Sequence, residues 1–362
     1  MLDVNSLYPS VMFEKDLPYG EPVFFEGKYK PDSIYELYIQ QFSCSFKLKE
    51  GKIPTIQIKN SFRFIGNEYL ESSEGEIVTL TLTNVDLKLF LENYEVSFLE
   101  YHCGWKFKNI QNLFKEYIDK WIKVKIKSTK EKNKGMRTLA KLMLNSLYGK
   151  FATSLNVKSK IPYLDEEGIV KYKFSEEEQK DGIYLPVACF ITAYAREKTI
   201  RTSQAIKDYS IKKYGTDLYY YSDTDSIHTG LSIEELEKFC DIDDVRLGAW
   251  KCEGNFVKAK FIRQKCYLEA FYKQEKYFGK IDKLTKKTKP LKIKPRKHFL
   301  EIKITCAGMP SSCYKYVTWQ NFKTGFSCGG KLTFKHVKGG VKLVETDFTI
   351  KEEKIKKEIK KF

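Results

Sequence analysis

The chain has 362 residues, 42% of them apolar and 15% aromatic, so it can bury a core and is not a disordered tail. Its 64 Lys and Arg residues against 47 Asp and Glu residues leave a net charge of +17. Such an excess favours a polyanionic partner, nucleic acid first and an anionic membrane surface second. No segment approaches the roughly 20 apolar residues of a membrane span, and the first residues lack a signal-peptide pattern, so we expect a cytoplasmic protein without membrane contact.

The nine cysteines are scattered, odd in number and never spaced as C-x-x-C, and the four histidines lie far from any pair of cysteines. This pattern favours buried, reduced thiols. We therefore expect neither a disulfide framework nor a zinc site.

The first residues predict a short strand around Asp3 that turns into a helix, with Asn5 and Ser6 able to cap it. From 15 to 105 the pattern is mostly β. There, QFSCSFKLKE followed by GKIPTIQIKN alternates around a Lys-Glu-Gly-Lys turn and predicts a hairpin.

Helices are predicted at 107–130 and 136–152, with STKEKNKG between them as a loop. A second β insertion follows at 156–184, with a hairpin closed at Glu167-Gly168, and then a helix at 186–213.

Residues 217–229 predict an aromatic strand, a tight acidic turn and a second apolar strand, which together make a hairpin with carboxylates at its tip. The Lys-rich, Pro-containing stretch 281–297 predicts an exposed connection. The last residues, KEEKIKKEIKKF, predict a charged helix.

Asp223 and Asp225 lie at this predicted tip, close enough in sequence to share one cation site. Magnesium prefers carboxylate oxygens and takes its remaining ligands from water and substrate phosphates. Asp3, at another strand end, is expected to complete a two-metal clamp. The alternative is a solvated acidic turn, but the apolar strands on both sides favour a rigid functional tip.

The helix at 136–152 has a polar face that suits a triphosphate and a base pair. Residues on this face step by four, four and three: Arg137, Lys141, Asn145 and Tyr148. Leu142, Leu144 and Leu147 are predicted to lie in the core. The alternative is a solvated face of an amphipathic helix.

Three motifs together resemble motifs A, B and C of family B DNA polymerases. They are D-x-x-S-L-Y-P at 3–9, K-x-x-x-N-S-x-Y-G at 141–149 and Y-x-D-T-D-S at 221–226. The longer strings KLMLNSLYGKFA, FITAYAR, RQKCYL and CAGM resemble the protein-primed branch, the small replicative polymerases of tailed phages with linear genomes. The similarity runs from residue 1 to about 350.

The resemblance implies an α+β fold, a right-hand polymerase core of palm, fingers and thumb with two β-rich insertions. The segments would be palm at 1–14, first insertion at 15–106, fingers at 107–155, second insertion at 156–184, palm again at 185–296, and thumb with C-terminal tail at 297–362.

The resemblance also implies residue roles. Asp3 and Asp225 would be the principal catalytic carboxylates and Asp223 an accessory one; with the Val4 carbonyl they would bind two Mg²⁺ ions, which Mn²⁺ can replace. Nucleotide-binding roles fall on Tyr8, as a steric gate against a 2′-hydroxyl, and on Lys125, Lys141, Asn145 and Tyr148.

Primer and template contacts would come from two pairs. Thr192 and Arg196 have i, i+4 spacing, which puts them on one helical face, and Lys265 and Tyr267 have i, i+2 spacing, which puts them on one face of a strand. Surface polar residues are the alternative for either pair.

The implied activity is template-directed addition of deoxynucleoside triphosphates to a DNA primer-template, with a terminal priming protein as partner of the first insertion. The second insertion would give processivity and strand displacement.

In this family an exonuclease domain precedes motif A, whereas here motif A begins at residue 3. The D-x-E string Asp165-Glu166-Glu167 falls in a predicted hairpin turn, so we expect no proofreading from this chain. A separate exonuclease-bearing chain would make this one subunit of a split polymerase. The rivals are a truncated, non-catalytic DNA-binding remnant and a two-metal nuclease.

Overall fold

The computed structural model describes residues 1–65, 68–166, 169–179, 182–272, 300–337, 340–351 and 357–360. They fall into two compact units: a larger unit of residues 2–159 and 176–253, and a smaller unit of Met1, 160–175 and 254–362. The predicted connection at 281–297 and the Glu167-Gly168 turn lie outside the described residues.

The helices, in chain order, are α1 (Leu7–Glu14), α2 (Asn84–Asn93), α3 (Lys115–Lys130), α4 (Lys134–Lys150), α5 (Leu185–Tyr214) and α6 (Ile233–Leu236), with a 3-10 helix at Ser311–Tyr316. In the described part of the chain, no helix is both long and apolar enough to cross a membrane.

The strands are β1 (Leu2–Val4), β2 (Leu17–Glu26), β3 (Leu37–Leu48), β4 (Val78–Thr83), β5 (Tyr94–Ile110), β6 (Asn156–Val157), β7 (Lys160–Leu164), β8 (Val170–Phe174), β9 (Glu178–Gln179), β10 (Tyr219–Asp223), β11 (Ser226–Thr229), β12 (Trp250–Cys252), β13 (Lys258–Arg263), β14 (Cys266–Tyr272), β15 (Leu300–Cys306), β16 (Ser327–Val337), β17 (Gly340–Thr349) and β18 (Lys357–Lys360).

A short antiparallel sheet lies at the centre of the larger unit, in the order β10-β11-β1-β12. Leu2 and Val4 are each only 1% exposed and pack into the main core of this unit, so the alternation of β1 turns Asp3 to the opposite face. Phe190 and Ile191 of α5 belong to the same core. The sequence thus fixes which face of the sheet carries the carboxylate.

Helix α5 follows the predicted boundaries closely. Proline occupies its first turn, and the helix ends at Tyr214 and is capped by Gly215, whose φ of 67° is left-handed and favours glycine. The acidic hairpin is also confirmed, because β10 and β11 pair directly with Asp223 opposite Ser226.

The second sheet of the larger unit has the order β2-β5-β3-β4 and differs from the predicted hairpin. Strand β3 pairs with β4 and β5, whereas the segment GKIPTIQIKN forms no strand. Pro54 interrupts that segment, and side chains take its backbone N–H groups: Tyr94 Oη accepts from Thr55 at 2.8 Å and Gln204 accepts from Ile53 at 3.0 Å. Alternation alone therefore predicted the wrong partner.

The two middle helices also differ in detail from expectation. Strand β5 continues to Ile110, so α3 begins at Lys115 and not at 107, and only residues 131–133 connect α3 to α4. Leu144 is buried as predicted, but Leu142 is 61% exposed and does not belong to the core.

The smaller unit contains two four-stranded sheets, β15-β14-β13-β18 and β16-β17-β8-β7. The hairpin of β7 and β8 is confirmed, with Leu164 opposite Val170. The predicted C-terminal helix is wrong at 357–360, where β18 pairs antiparallel with β13. Pairing with a distant strand has overridden the helical preference of a Lys- and Glu-rich segment.

The expectation that all cysteines remain thiols is also wrong. A disulfide joins Cys313 to Cys328, with 5.9 Å between their Cα atoms. Both cysteines belong to one apolar cluster of the smaller unit. Their pairing is set by the fold, and the spacing of cysteines in the sequence carries no signal for it.

Candidate active site

The central sheet of the larger unit brings two of the predicted carboxylates together. Strand β1 lies between β11 and β12, so Asp3 is opposite Ser226 on one side and Lys251 on the other. The backbone N–H of Val4 donates to the carbonyl of Asp225 at 2.8 Å. Asp3 and Asp225, which are 222 positions apart in the sequence, are thereby held side by side.

The charge on Asp3 is unfavourable in this setting. Its pKa is raised from 3.8 to about 6, by burial first and then by the carboxylates of Asp225 and Glu253, while Lys141 and Lys251 act in the opposite sense. A pair of carboxylates that repel each other is stabilised when a cation binds between them.

Asp223 is the third predicted carboxylate. It ends β10, and its carboxylate accepts a hydrogen bond from the Thr224 hydroxyl at 3.0 Å. Within the ranges described, no three His, Cys, Asp or Glu side chains are grouped closely enough to hold a metal ion. The structure therefore places Asp3 next to Asp225, and the role of Asp223 as a further metal ligand stays a prediction.

Basic side chains form a second group next to the carboxylates. Burial lowers the pKa of Lys125, and neighbouring positive charges lower it further, in the order Arg137, Lys141 and Lys251. We call these four residues the cation cluster. Like charges held this close are stabilised by an anionic ligand such as a triphosphate.

The predicted side-chain cap at the start of α1 does not form. Ser6 is the N-cap residue, but its φ is 57° and its hydroxyl makes no capping bond. That hydroxyl instead accepts a hydrogen bond from Lys125 Nζ at 3.0 Å, and the Asn5 amide donates to the carbonyl of Asp243. Motif A is therefore linked to α3, not used to cap its own helix.

Two predicted tyrosines stack on each other beside the carboxylates. The rings of Tyr8 on α1 and Tyr148 on α4 have centroids 4.0 Å apart and an interplanar angle of 27°. The pKa of Tyr8 is raised to about 12, by burial first, then by Tyr148 and by the charge of Asp225. Asn145 is exposed on the same helix, one turn before Tyr148.

The predicted primer-contacting residues on α5, Thr192 and Arg196, both form hydrogen bonds within the protein. Thr192 donates its hydroxyl proton to carbonyls of its own helix, those of Ala188 at 3.0 Å and Cys189 at 2.9 Å. Arg196 makes a two-pronged ion pair with Asp86 of α2, at 3.0 and 2.8 Å. A DNA contact by the Nε–Nη2 edge of Arg196 would require exchange of this partner.

The second primer-contacting pair lies in the smaller unit and has a different geometry from the one predicted. Lys265 is in the turn between β13 and β14, with a φ of 54°, and β14 begins at Cys266. Tyr267 is only 7% exposed and packs its ring against Phe261 at 5.6 Å. The two residues therefore do not share the face of one strand.

The sequence pattern did not reveal two residues that surround the site, Lys251 and Glu253. Lys251 is the middle residue of β12, a strand of three residues too short to be predicted, and Glu253, which directly follows the strand, forms an ion pair with it at 2.7 Å. Arg137 lies on the predicted polar face and joins the cation cluster, a role that the motifs do not assign to it. The one available sequence signal was the alternation of charge in KCE at 251–253, and it does not indicate the strand that pairs with β12.

Comparison with known proteins identifies the family. A family model described as DNA polymerase type B, organellar and viral, matches residues 1–238. The chain belongs to this family. It is 47% identical over 354 residues to the DNA polymerase of Bacillus phage phi29 and 35% identical over 357 residues to that of Streptococcus phage Cp-1.

The fold is that of a type B polymerase core. The structure of phi29 DNA polymerase in a ternary complex with primer-template DNA and incoming nucleotides matches with a TM-score of 0.81 and 46% identity, over 97% of this chain. The predicted α+β polymerase core is thereby confirmed. The chain spans 57% of the length of phi29 DNA polymerase and 56% of the Cp-1 enzyme.

Proposed function

We propose that this chain catalyses template-directed addition of deoxynucleotides to the 3′ end of a DNA primer. The observation that carries the proposal is the adjacency of two opposite charge groups in the larger unit: the carboxylates of Asp3 and Asp225, and the cation cluster. A nucleoside triphosphate with bound divalent ions is a ligand that satisfies both groups at once.

The donor set fits magnesium. Mg²⁺ is usually bound by one or two carboxylates, with waters and substrate phosphates completing its shell, so the absence of a third grouped side chain among the described residues is compatible with it. Asp3 and Asp225 would hold two ions, with the Val4 carbonyl and Asp223 as further ligands, and Mn²⁺ as a substitute. When bound, such ions lower the pKa of an attacking hydroxyl and neutralise charge on the triphosphate.

The chain's own residues would position the substrates. Lys125 and Lys141 would bind the triphosphate, while Asn145 and Tyr148 would contact the nucleotide. The Tyr8 ring, fixed by its stack on Tyr148, would occupy the space of a ribose 2′-hydroxyl.

Primer and template contacts remain proposals for both pairs of residues: Thr192 and Arg196 on α5, and Lys265 and Tyr267 in the smaller unit. Arg196 would exchange Asp86 for a DNA phosphate, which its guanidinium binds with the same two-pronged geometry. The palm, fingers, thumb and insertion boundaries given above are likewise proposals.

Primer extension tests the central proposal. The purified chain is incubated with a primed template, four deoxynucleoside triphosphates and Mg²⁺ or Mn²⁺, with Asp225→Asn as matched control. Template-dependent extension by the wild type alone supports polymerisation. DNA binding without extension would favour the non-catalytic remnant, and metal-dependent shortening of the DNA would favour the nuclease.

Protein-primed initiation of a phage genome in the host cytoplasm is the finer proposal. It is supported by the phage relatives, and by the β-sheets that include strands from 15–106 and 156–184, the segments that we propose as the two insertions. The test is covalent transfer of a labelled deoxynucleotide to a terminal protein supplied with the chain. Labelled protein supports the proposal, and extension of DNA primers without labelled protein contradicts it.

We also propose that the D-x-E string has no nuclease role. Asp165 accepts the N–H of Ile169 at 2.7 Å and pairs with Lys171 at 2.6 Å, so its carboxylate closes the β7–β8 hairpin. Proofreading, where the replicon has it, would come from other residues or from a separate exonuclease-bearing chain. Asp165→Asn should leave excision of a mismatched 3′ nucleotide unchanged, whatever its basal level.

A further inference from the structure

The hairpin that carries Asp225 has a strained tip. Strands β10 and β11 are joined by only Thr224 and Asp225, and Thr224 has a φ of 53°. A β-branched residue rarely adopts this left-handed conformation, so surrounding contacts must hold it there. The direction of the Asp225 carboxylate depends on those contacts.

Three consecutive carbonyls of the tip each accept a specific hydrogen bond. The carbonyl of Asp223 accepts from the Ser226 hydroxyl at 3.1 Å, that of Thr224 from the Thr199 hydroxyl at 2.8 Å, and that of Asp225 from the Val4 N–H at 2.8 Å. The peptide units on both sides of Asp225 are thus held, one by α5 and the other by β1.

Thr199 is the donor from α5, and its surroundings favour this role. The side chain is 6% exposed, so water does not compete for the carbonyl. Its hydroxyl also lies 3.3 Å from the carbonyl of Ala195 in its own helix, but the contact with Thr224 is shorter. One hydroxyl proton therefore links the long helix to the catalytic hairpin.

We propose that Thr199 is a positioning residue that fixes the Asp225 carboxylate for metal binding and nucleotide addition. The inference rests on the proposed function. Thr199 touches neither metal nor substrate; it acts through the Thr224–Asp225 peptide. Loss of such a supporting hydrogen bond in a metal site typically reduces metal affinity or activity by 10- to 100-fold.

The test compares three variants with the wild type. Thr199→Val keeps the shape and removes the hydroxyl, and Thr199→Ser keeps the hydroxyl. Thr229→Val is the matched control, because Thr229 is also buried, at 5% exposed, and its hydroxyl accepts the Leu231 N–H away from the tip. All three variants are first checked for folding by circular dichroism and thermal melting.

Two readouts separate positioning from general destabilisation. In primer extension, Thr199→Val should lower kcat about tenfold with little change in KM for the nucleotide, since the cation cluster is untouched. Mn²⁺ binding is measured without DNA, from the loss of the electron paramagnetic resonance signal of free Mn²⁺. In this assay Thr199→Val should bind Mn²⁺ about tenfold more weakly than the wild type. Thr199→Ser should restore both values, and Thr229→Val should keep both.

The proposal would be overturned if Thr199→Val kept the wild-type kcat and Mn²⁺ affinity. It would also be overturned if Thr199→Val and Thr229→Val lost kcat and Mn²⁺ affinity equally, or if Thr199→Ser failed to restore these two values. A wild type that extends no primer would contradict the proposed function. In that case the Mn²⁺ measurement alone decides the role of Thr199.

Discussion

Replacing Asp3 with Asn should stabilise the metal-free protein while it removes catalysis. Ionisation of Asp3 is costly in the fold, because its pKa rises from 3.8 to about 6 through burial and the nearby Asp225 carboxylate. Each pKa unit corresponds to about 1.4 kcal/mol, which sets an upper limit of roughly 3 kcal/mol. Asp3 is only partly buried, and solvent screening reduces the expected gain to about 1–2 kcal/mol.

The sign of the pH dependence follows from linkage. Between roughly pH 4 and 6 the folded protein holds the Asp3 proton more tightly than the unfolded chain, so stability falls as pH rises through this window. The penalty is complete above about pH 6 and absent below about pH 4. The Asn variant should therefore gain fully at pH 7.5 and about half as much at pH 5.

The assay is thermal melting of both proteins in a chelating buffer at these two pH values. A gain of 1–2 kcal/mol corresponds to about 2–4 °C in Tm for a unit of this size. Asp208→Asn, an exposed carboxylate on α5, is the control and should shift Tm by less than about 1 °C. Adding Mg²⁺ should narrow the difference, because the wild type binds the ion more tightly than the Asn variant and gains more stability from it. An Asn variant no more stable than the wild type, or a gain independent of pH, would refute the electrostatic account of Asp3.

Three further predictions concern the proposed reaction. Asp225→Ala should slow primer extension at least about a hundredfold and leave DNA affinity within about twofold in gel shifts, since it removes a metal ligand and no phosphate contact; substantial residual extension would contradict this. Tyr8→Val should raise ribonucleotide insertion relative to deoxynucleotide insertion about tenfold in single-nucleotide assays, because the ring fixed on Tyr148 is lost, and an unchanged ratio would exclude the gate. Lys125→Ala should raise KM for the nucleotide about tenfold in steady-state kinetics, whereas Lys127→Ala, whose side chain is 77% exposed on the same helix, should leave it unchanged; equal effects would argue against a triphosphate contact.

The elements with local sequence signals were predicted well. The β10–β11 hairpin has apolar strands on both sides of a two-residue turn, and α5 has a proline at its start and Gly215 at its end. Such signals act over a few residues and do not depend on the rest of the chain. The three-residue strand β1 could be placed for the same reason, between a capping region and a helix.

The failures lie where a distant partner decides the structure. At 357–360 the lysines and glutamates favour a helix, but the backbone pairs with β13, about a hundred residues earlier. At 53–56 the apolar alternation suggested a strand, but the hydroxyl of Tyr94 and the amide of Gln204 take the backbone N–H groups. Neither partner can be identified from local periodicity.

The same difference between local signals and distant partners applies to the residues of the candidate site. The motifs indicated Asp3, Asp225 and Lys141 as chemistry-bearing residues, and the structure places all three within electrostatic reach of one another. Lys251 and Glu253 complete the surroundings only through the register of β1 against β12. That register depends on which edge of the sheet β12 pairs with, and the pattern of residues does not indicate this edge.

The charge balance at Asp3 explains why the carboxylates and the cations remain separate groups. Lys141 and Lys251 lower the pKa of Asp3, yet burial, Asp225 and Glu253 raise it more, and the net shift is upward to about 6. A dominant lysine counter-ion would make the net shift of this pKa downward, whereas the net shift is upward. Lys251 pairs with Glu253 at 2.7 Å, and in the described ranges no Lys or Arg forms an ion pair with Asp3. Asp3 thus remains available for a divalent cation, and Lys125, Arg137 and Lys141 for a polyanion; a metal-bound triphosphate, the proposed substrate, would supply both partners in one ligand.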